Sequence, residues 1–165
     1  MDLALSTDPK KSLQETYAPD NICFGCGPAN PKGLRIRSFA VGEAPDAELV
    51  CEFHAEKSHE AFAGVVNGGI LCTLMDCHGN WAAAYFLMRR DALSSLPSTV
   101  TADLEVKLKR PTASNEPLHL SARVISAQAD RAVVDVSVRS GEKITATCRG
   151  TFVSVQPGHP AYHRW

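Results

Sequence analysis

From 100 to 108 the even positions are Val, Ala, Leu, Val and Leu, while the odd positions from 101 to 109 are Thr, Asp, Glu, Lys and Lys. Alternation this strict predicts a strand with one face on a core. The same period runs through Leu118, Leu120, Ala122 and Val124, then Ala132, Val134, Val136 and Val138, then Ile144, Ala146 and Cys148. At Gly150 the phase slips, because Phe152 is followed by Val153 and Val155, and a bulge is expected there. The breaks at 128–131 and 140–143 are of hairpin length. Earlier in the chain, 34–39 and 48–53 read as two more strands, the second with Leu49, Cys51 and Phe53 on one face.

Between these groups the period changes once. From 68 to about 88 the apolar residues Ile70, Leu71, Leu74, Met75, Cys77, Trp81, Ala82, Ala83, Ala84, Phe86 and Leu87 cover most of a helix circumference. A helix apolar nearly all round is buried on most sides. Asn67 is a good N-cap, and Arg89 and Arg90 suit the negative pole at the other end. The predicted fold is α+β: a curled antiparallel sheet of about six strands wrapped around one long central helix, since a flat sheet would touch only one side of it. Residues 1–20 read as a polar N-terminal arm, 21–156 as a single domain that opens on a tight loop over 21–33, 54–66 as irregular, and 157–165 as a peripheral tail. A curled open sheet keeps free edges, so edge-to-edge pairing in a homodimer is expected.

Composition narrows the function. Lys and Arg number 17 against 18 Asp and Glu, which argues against a nucleic-acid partner. The longest apolar run, from 81 to 88, is far shorter than the roughly 20 residues that span a bilayer, so no membrane partner is expected. The first twenty residues carry no apolar signal-peptide core. Six cysteines without such a segment read as reduced thiols in a cytoplasmic protein. Cys51, Cys72, Cys77 and Cys148 fall in predicted core elements as small hydrophobes. Cys23 and Cys26 form a lone Cys-x-x-Cys with no second pair and no His-x-x-x-His; a structural loop is expected there, the alternatives being half of a zinc site, completed from a distance by His54, His59 or Cys51, and redox activity, and no metal is assigned.

Two features carry chemistry. Gly68 and Gly69 open the helix, where unpaired N–H groups bear partial positive charge and missing Cβ atoms let a substrate oxygen approach. A thioester carbonyl placed there would be polarised; a glycine pair used for close packing is the alternative. Asp76 is an acid within the most apolar segment, where burial would raise its pKa and suit it to act as base or nucleophile. The alternative is a carboxylate bonded to a neighbouring hydroxyl or to His78. Asp76 lies eight residues after Gly68, roughly 12 Å along the axis. If both serve one carbonyl, they come from two antiparallel helices, and the site lies between subunits.

Gly64-Val65-Val66-Asn67-Gly68-Gly69 followed by Leu74-Met75-Asp76 resembles the hot-dog-fold acyl-CoA thioesterases of the PaaI-like type, whose helix opens on His-Gly-Gly with an acid seven positions after the second glycine. The stretch from Cys23-Phe24-Gly25-Cys26-Gly27 to Gly33-Leu34 is similar to the leader of one branch of that family. The resemblance spans about 21–155. It implies acyl-CoA hydrolysis without a cofactor, CoA being part of the substrate. In this reading an amide of Gly68 or Gly69 polarises the carbonyl. Asp76 of the partner subunit activates water or attacks directly, in a homodimer or a tetramer. Thr101 falls where the family has a Ser or Thr that helps the acid, although the alternation puts it on the polar face. Arg89, Arg90, Lys109 and Arg110 are the expected contacts for the CoA phosphates, a solvated surface cluster being the alternative. Asn67 replaces the family histidine and cannot shuttle a proton, and Ala61 falls near a family asparagine and cannot orient water. His59 and His78 are the nearby histidines, as compensating groups or as ordinary surface and core residues. An acyl-CoA-binding or weakly active module is the alternative function. A hydratase or dehydratase ranks lower, since its His–acid pair would be Asp76 with His78, about 200° apart on the helix.

Overall fold

The computed structural model describes residues 11–164. Ten residues of the expected N-terminal arm and Trp165 of the tail lie outside them. Two helices, α1 (Leu13–Tyr17) and α2 (Gly68–Arg90), accompany strands β1 (Phe39–Val41), β2 (Glu48–Phe53), β3 (Glu60–Phe62), β4 (Val65–Val66), β5 (Thr99–Leu108), β6 (Leu118–Gln128), β7 (Arg131–Ser140) and β8 (Lys143–Ser154). Six strands form one antiparallel sheet in the order β1-β2-β6-β7-β8-β5, and β3 and β4 make a separate hairpin. Helix α2 packs across β2, β5, β6, β7 and β8. This is the hot-dog arrangement, a long helix cradled by a six-stranded sheet.

The alternating residues of the sheet meet the helix as expected. Leu49, Cys51, Leu120, Ala122, Val134, Val136, Val138, Ala146 and Cys148 are buried together with Leu74, Met75 and Trp81 of α2. Gly150 does not break the pattern. It pairs in continuous register with Val134, and Ala132 follows opposite Phe152. A Cβ at Gly150 or Gly79 would stand within 2.9 Å of the Phe152 ring, so both glycines make room for that ring where helix and sheet cross. The irregularities fall elsewhere: at Ala102 between Thr101 and Asp103, at Ile125 between Val124 and Ser126, and at Thr145, where Val138 pairs with Ala146 but Arg139 with Ile144.

Three further expectations change. The stretch 34–39 alternates in burial, with Leu34, Ile36 and Ser38 inside, but joins the sheet only at Phe39. Arg35 has φ 52°, which breaks a ladder, and the backbone bonds instead to the preceding loop through Leu34 N–H to Phe24 O (2.7 Å) and Ile36 N–H to Gly25 O (3.1 Å). The region 54–66, expected as irregular, holds a 3-10 turn (Lys57–His59) and the β3–β4 hairpin. The described end of the arm is not a solvated tail. Ser12 caps α1 reciprocally with Glu15, and buried Gln14 clamps Ser38, donating to its Oγ (2.9 Å) and accepting its N–H (2.8 Å).

Candidate active site

Helix α2 is 23 residues long, about 34 Å. Along it runs one stripe that the sheet does not cover: Gly69, Cys72, Thr73, Asp76 and Asn80 are exposed or half-buried, at spacings of three and four residues. The stripe faces β5, an edge strand. Thr99 and Asn80 bond side chain to side chain, and Asn80 also donates to Thr99 O (3.4 Å). Thr101 Oγ1 donates to Asp76 Oδ1 at 2.6 Å.

That last bond corrects the expectation that Thr101 lies on the polar face. Thr101 pairs with Phe152, whereas Leu104 pairs with Gly150 and Val106 with Cys148. These three partners share the core side of β8. The extra residue at Ala102 therefore turns the strand over: odd positions face the helix before the bulge, even positions after it. Burial raises the Asp76 pKa, and the Thr101 hydroxyl works in the opposite direction. A half-buried carboxylate with one oxygen held and the other open can accept a proton from water or attack a carbonyl.

The start of α2 is tied from both sides. Val66 N–H bonds to Thr112 O (2.9 Å) and Asn67 N–H to His59 O (2.8 Å). Asn67 caps the helix: its Oδ1 accepts Gly69 N–H at 2.7 Å and Ile70 N–H at 3.4 Å. The Gly69 amide is thus already used. Gly68 N–H has no acceptor among the described residues, which leaves it as the amide a carbonyl oxygen can approach. A Cβ on Gly68 would meet Leu108 Cδ1 at 2.9 Å, so the helix start and the far end of β5 are in close contact.

The two histidines take other places. His78 is wholly buried. Its Nε2–H donates to Leu49 O (3.0 Å), so its Nδ1 accepts the Ser38 hydroxyl (2.8 Å). Both nitrogens are occupied by structure, which removes the Asp76–His78 pair that a hydratase would need. His59 is half-exposed; its Nδ1 accepts Glu56 N–H (2.9 Å) and its ring leans on Phe53.

The four basic residues do not form one cluster. Lys109 and Arg110 follow β5 at the Gly68 end and, with Lys143, line a hollow of about 500 Å³. Arg89 and Arg90 lie at the other end of α2, about 30 Å away. Arg90 is already engaged by Asp91 (2.6 and 2.7 Å) and by Ala129 O (2.6 Å). Two hollows of about 550 Å³ lie on the outer face of the sheet, across it from Asp76, and are lined by pairs such as Asp135–Arg149 and Glu48–Arg123.

Sequence reasoning missed Cys77 as a partner of Cys23 (Sγ–Sγ 3.8 Å). The two are 54 positions apart, and Cys77 fitted the apolar helix pattern, so only the docking of the loop reveals the contact.

No helix among the described residues is long and apolar enough to cross a membrane. No protein with curated annotation matches the sequence. Solved structures do. A thioesterase superfamily protein from Shewanella loihica is 25% identical with a TM-score of 0.59, over 73% of this chain and 91% of that one. A thioesterase from Haemophilus influenzae is 20% identical with a TM-score of 0.66, over 81% and 90%. The PaaI protein of the E. coli phenylacetic acid degradation operon is 18% identical with a TM-score of 0.62, over 74% and 81%. The last two share the fold. The thioesterase superfamily itself matches residues 63–147, just over half of the sequence and including both Gly68 and Asp76. The chain belongs to the thioesterase superfamily.

Proposed function

We propose that this chain hydrolyses an acyl-CoA thioester at a site shared by two copies, with Asp76 as the general base. The bond from Thr101 to Asp76 carries the reading. It holds one carboxylate oxygen at the half-open stripe of α2, beside the free edge strand. Pairing of β5 with its counterpart in a second copy would cover both the edge and the stripe and set the two α2 helices antiparallel. Gly68 of one copy would then come beside Asp76 of the other.

In that arrangement the thioester carbonyl accepts the Gly68 N–H, and charge developing on its oxygen in the transition state is stabilised there. Asp76 takes a proton from water through its unheld oxygen, and the water oxygen adds to the carbonyl carbon. The C–S bond then breaks, and the proton returns from Asp76 to the departing thiolate. Direct attack by Asp76 to form an anhydride is the close alternative. Its pKa, raised by burial, makes the carboxylate a better base than one in water. Lys109 and Arg110, with Lys143, supply positive charge at the Gly68 end for the CoA phosphates. The acyl chain would lie between the two helices.

The test is thiol release from acyl-CoAs of short, medium, long and aromatic acyl groups, beside a binding titration. Hydrolysis that is lost in Asp76→Asn with the fold retained supports the proposal. Parental rates in that variant would end the role of Asp76. A second reading, a binding module with weak turnover, is favoured by one observation: the Asn67 cap consumes the Gly69 amide. Tight binding without thiol release selects it.

A further inference from the structure

The loop that opens the domain folds back onto the middle of α2 and brings three sulfurs together. Cys23 Sγ stands 3.8 Å from Cys77 Sγ, and the sulfurs of Cys23, Cys26 and Cys77 all lie within 4.8 Å of one another. Sulfurs on one tetrahedral zinc, each about 2.3 Å from it, stand about 3.8 Å apart. One edge of the triangle already has this length, and closing the widest takes a movement of about 1 Å, within the range of a cysteine χ1 on a loop. Cys51 and Cys148 are also buried but do not join the group.

The loop is shaped around these sulfurs. Asn21 Oδ1 accepts Cys23 N–H (2.8 Å), and Gly27 N–H bonds back to Cys23 O (2.9 Å). A Cβ on Gly27 would lie 2.5 Å from Cys23 N, and one on Gly25 would lie 2.3 Å from Cys77 Sγ; only glycine lets this backbone pass so close to the helix sulfur.

We propose that Cys23, Cys26 and Cys77 bind one zinc ion. Three soft thiolates at this spacing select a thiophilic ion over magnesium or calcium. No other His, Cys, Asp or Glu among the described residues joins the set, so solvent takes the fourth place. Cys23, the half-exposed member, marks the route of entry. Binding releases the thiol protons to solvent. The ion would fasten the loop to the helix turn next to Asp76, which precedes Cys77 in sequence. That is a structural role, independent of whether Asp76 hydrolyses anything.

The experiment uses the full chain, reduced and stripped of metal. Cadmium is titrated in while its ultraviolet thiolate charge-transfer band is followed, first with the metal-free chain and then with the zinc-loaded chain. One cadmium per chain is expected, and bound zinc should raise the cadmium needed to reach the midpoint, because the two ions compete for the same thiolates. Because Cys77→Ser also alters the core, the half-exposed Cys23→Ser carries the test, with circular dichroism to check the fold. It should weaken cadmium binding at least about 100-fold, since even outer-shell changes cost 10–100-fold. Cys51→Ser should leave binding unchanged. A folded, reduced chain that takes up no cadmium overturns the proposal. So does Cys23→Ser binding as well as the parent, Cys51→Ser weakening it as much, or a cadmium midpoint that bound zinc leaves unmoved. Thioesterase activity does not enter the readout, so the two proposals fail separately.

Discussion

Asp76 and His78 stand two residues apart on one helix and have opposite fates. Asp76 points along the stripe that the sheet leaves open, keeps part of its surface, and among the described residues has one hydrogen-bond partner, a hydroxyl from an edge strand. His78 points into the sheet, has no exposed surface, and has both ring nitrogens engaged by Ser38 and Leu49. Burial acts on both in the same sense, against the charged form. It raises the Asp76 pKa and lowers that of His78 to about 4. What differs is the remaining valence. A group with an unfilled position near an opening can do chemistry, whereas a group with every position filled holds the structure together. A rotation of about 200° around the helix separates a candidate base from a core strut.

The sharpest way to break this contrast is to remove each charge in turn. Asp76→Asn should lower kcat by about 10²–10⁴, the usual worth of a positioned base. Its stability should hold or rise, because a raised carboxyl pKa means that folding disfavours the ionised form at neutral pH. A loss of melting temperature matching the loss of activity would place Asp76 with the structural residues instead.

His78→Ala should do the reverse, costing about 2–4 kcal/mol of stability through a cavity and the loss of two buried hydrogen bonds, to Leu49 O and Ser38 Oγ. The parent should also be acid-sensitive through this residue. The unfolded chain takes up a proton near the ordinary histidine value of 6.5, the folded chain only near 4. Stability from the neutral ring is therefore complete above pH 6.5 and falls as pH drops toward 4, by roughly 3 kcal/mol. Urea unfolding at a series of pH values should show this slope in the parent and a flatter one in His78→Ala. Equal slopes would mean that His78 does not titrate in this window.

The sequence discloses the frame better than the details that equip it. Hydrophobic period alone identifies α2 and the core faces of β2, β6, β7 and β8, because burial of one face selects those residues. It misplaces Thr101, because Ala102 is small and apolar enough to pass for a core position in strict alternation while acting as the extra residue of a bulge. Edge strands accommodate such bulges without losing a second partner, and no hydropathy signal marks one. Asn67 was legible as an N-cap, yet which amide its side chain consumes depends on a torsion. Ser12 and Gln14 belong to the expected polar arm and Ser38 to an expected strand, and no hydropathy signal marks them as buried; Gln14 and Ser38 are inside because they satisfy each other and His78, and Ser12 because it caps α1 with Glu15.

Thr101 offers a finer probe of the active side. Thr101→Ala removes the hydroxyl that holds Asp76 Oδ1, and kcat should fall about tenfold, the value of one hydrogen bond to a charged group. The Thr101 bond lowers the Asp76 pKa. Its loss should therefore move the acid limb of the pH–rate profile to higher pH, and Thr101→Ser should restore both rate and limb. A slower enzyme with an unmoved limb would assign Thr101 to packing alone.

The smallest effect concerns the two basic pairs. Replacing Lys109 and Arg110 with alanine should raise KM for a CoA thioester about three- to tenfold and leave kcat alone, as expected for exposed charges that meet phosphate in water. The effect should shrink in high salt and vanish for a pantetheine thioester, which lacks the nucleotide phosphates. Replacing Arg89 and Arg90 should leave KM unchanged. They lie about 20 Å beyond Asp76 along the axis, on whichever copy supplies the acid, and Arg90 is already held by Asp91 and a backbone carbonyl. A KM change confined to the Arg89–Arg90 variant would put the nucleotide at the opposite end of the helix. The carbonyl would then be out of reach of Gly68, and the open stripe would have to be read in the reverse direction.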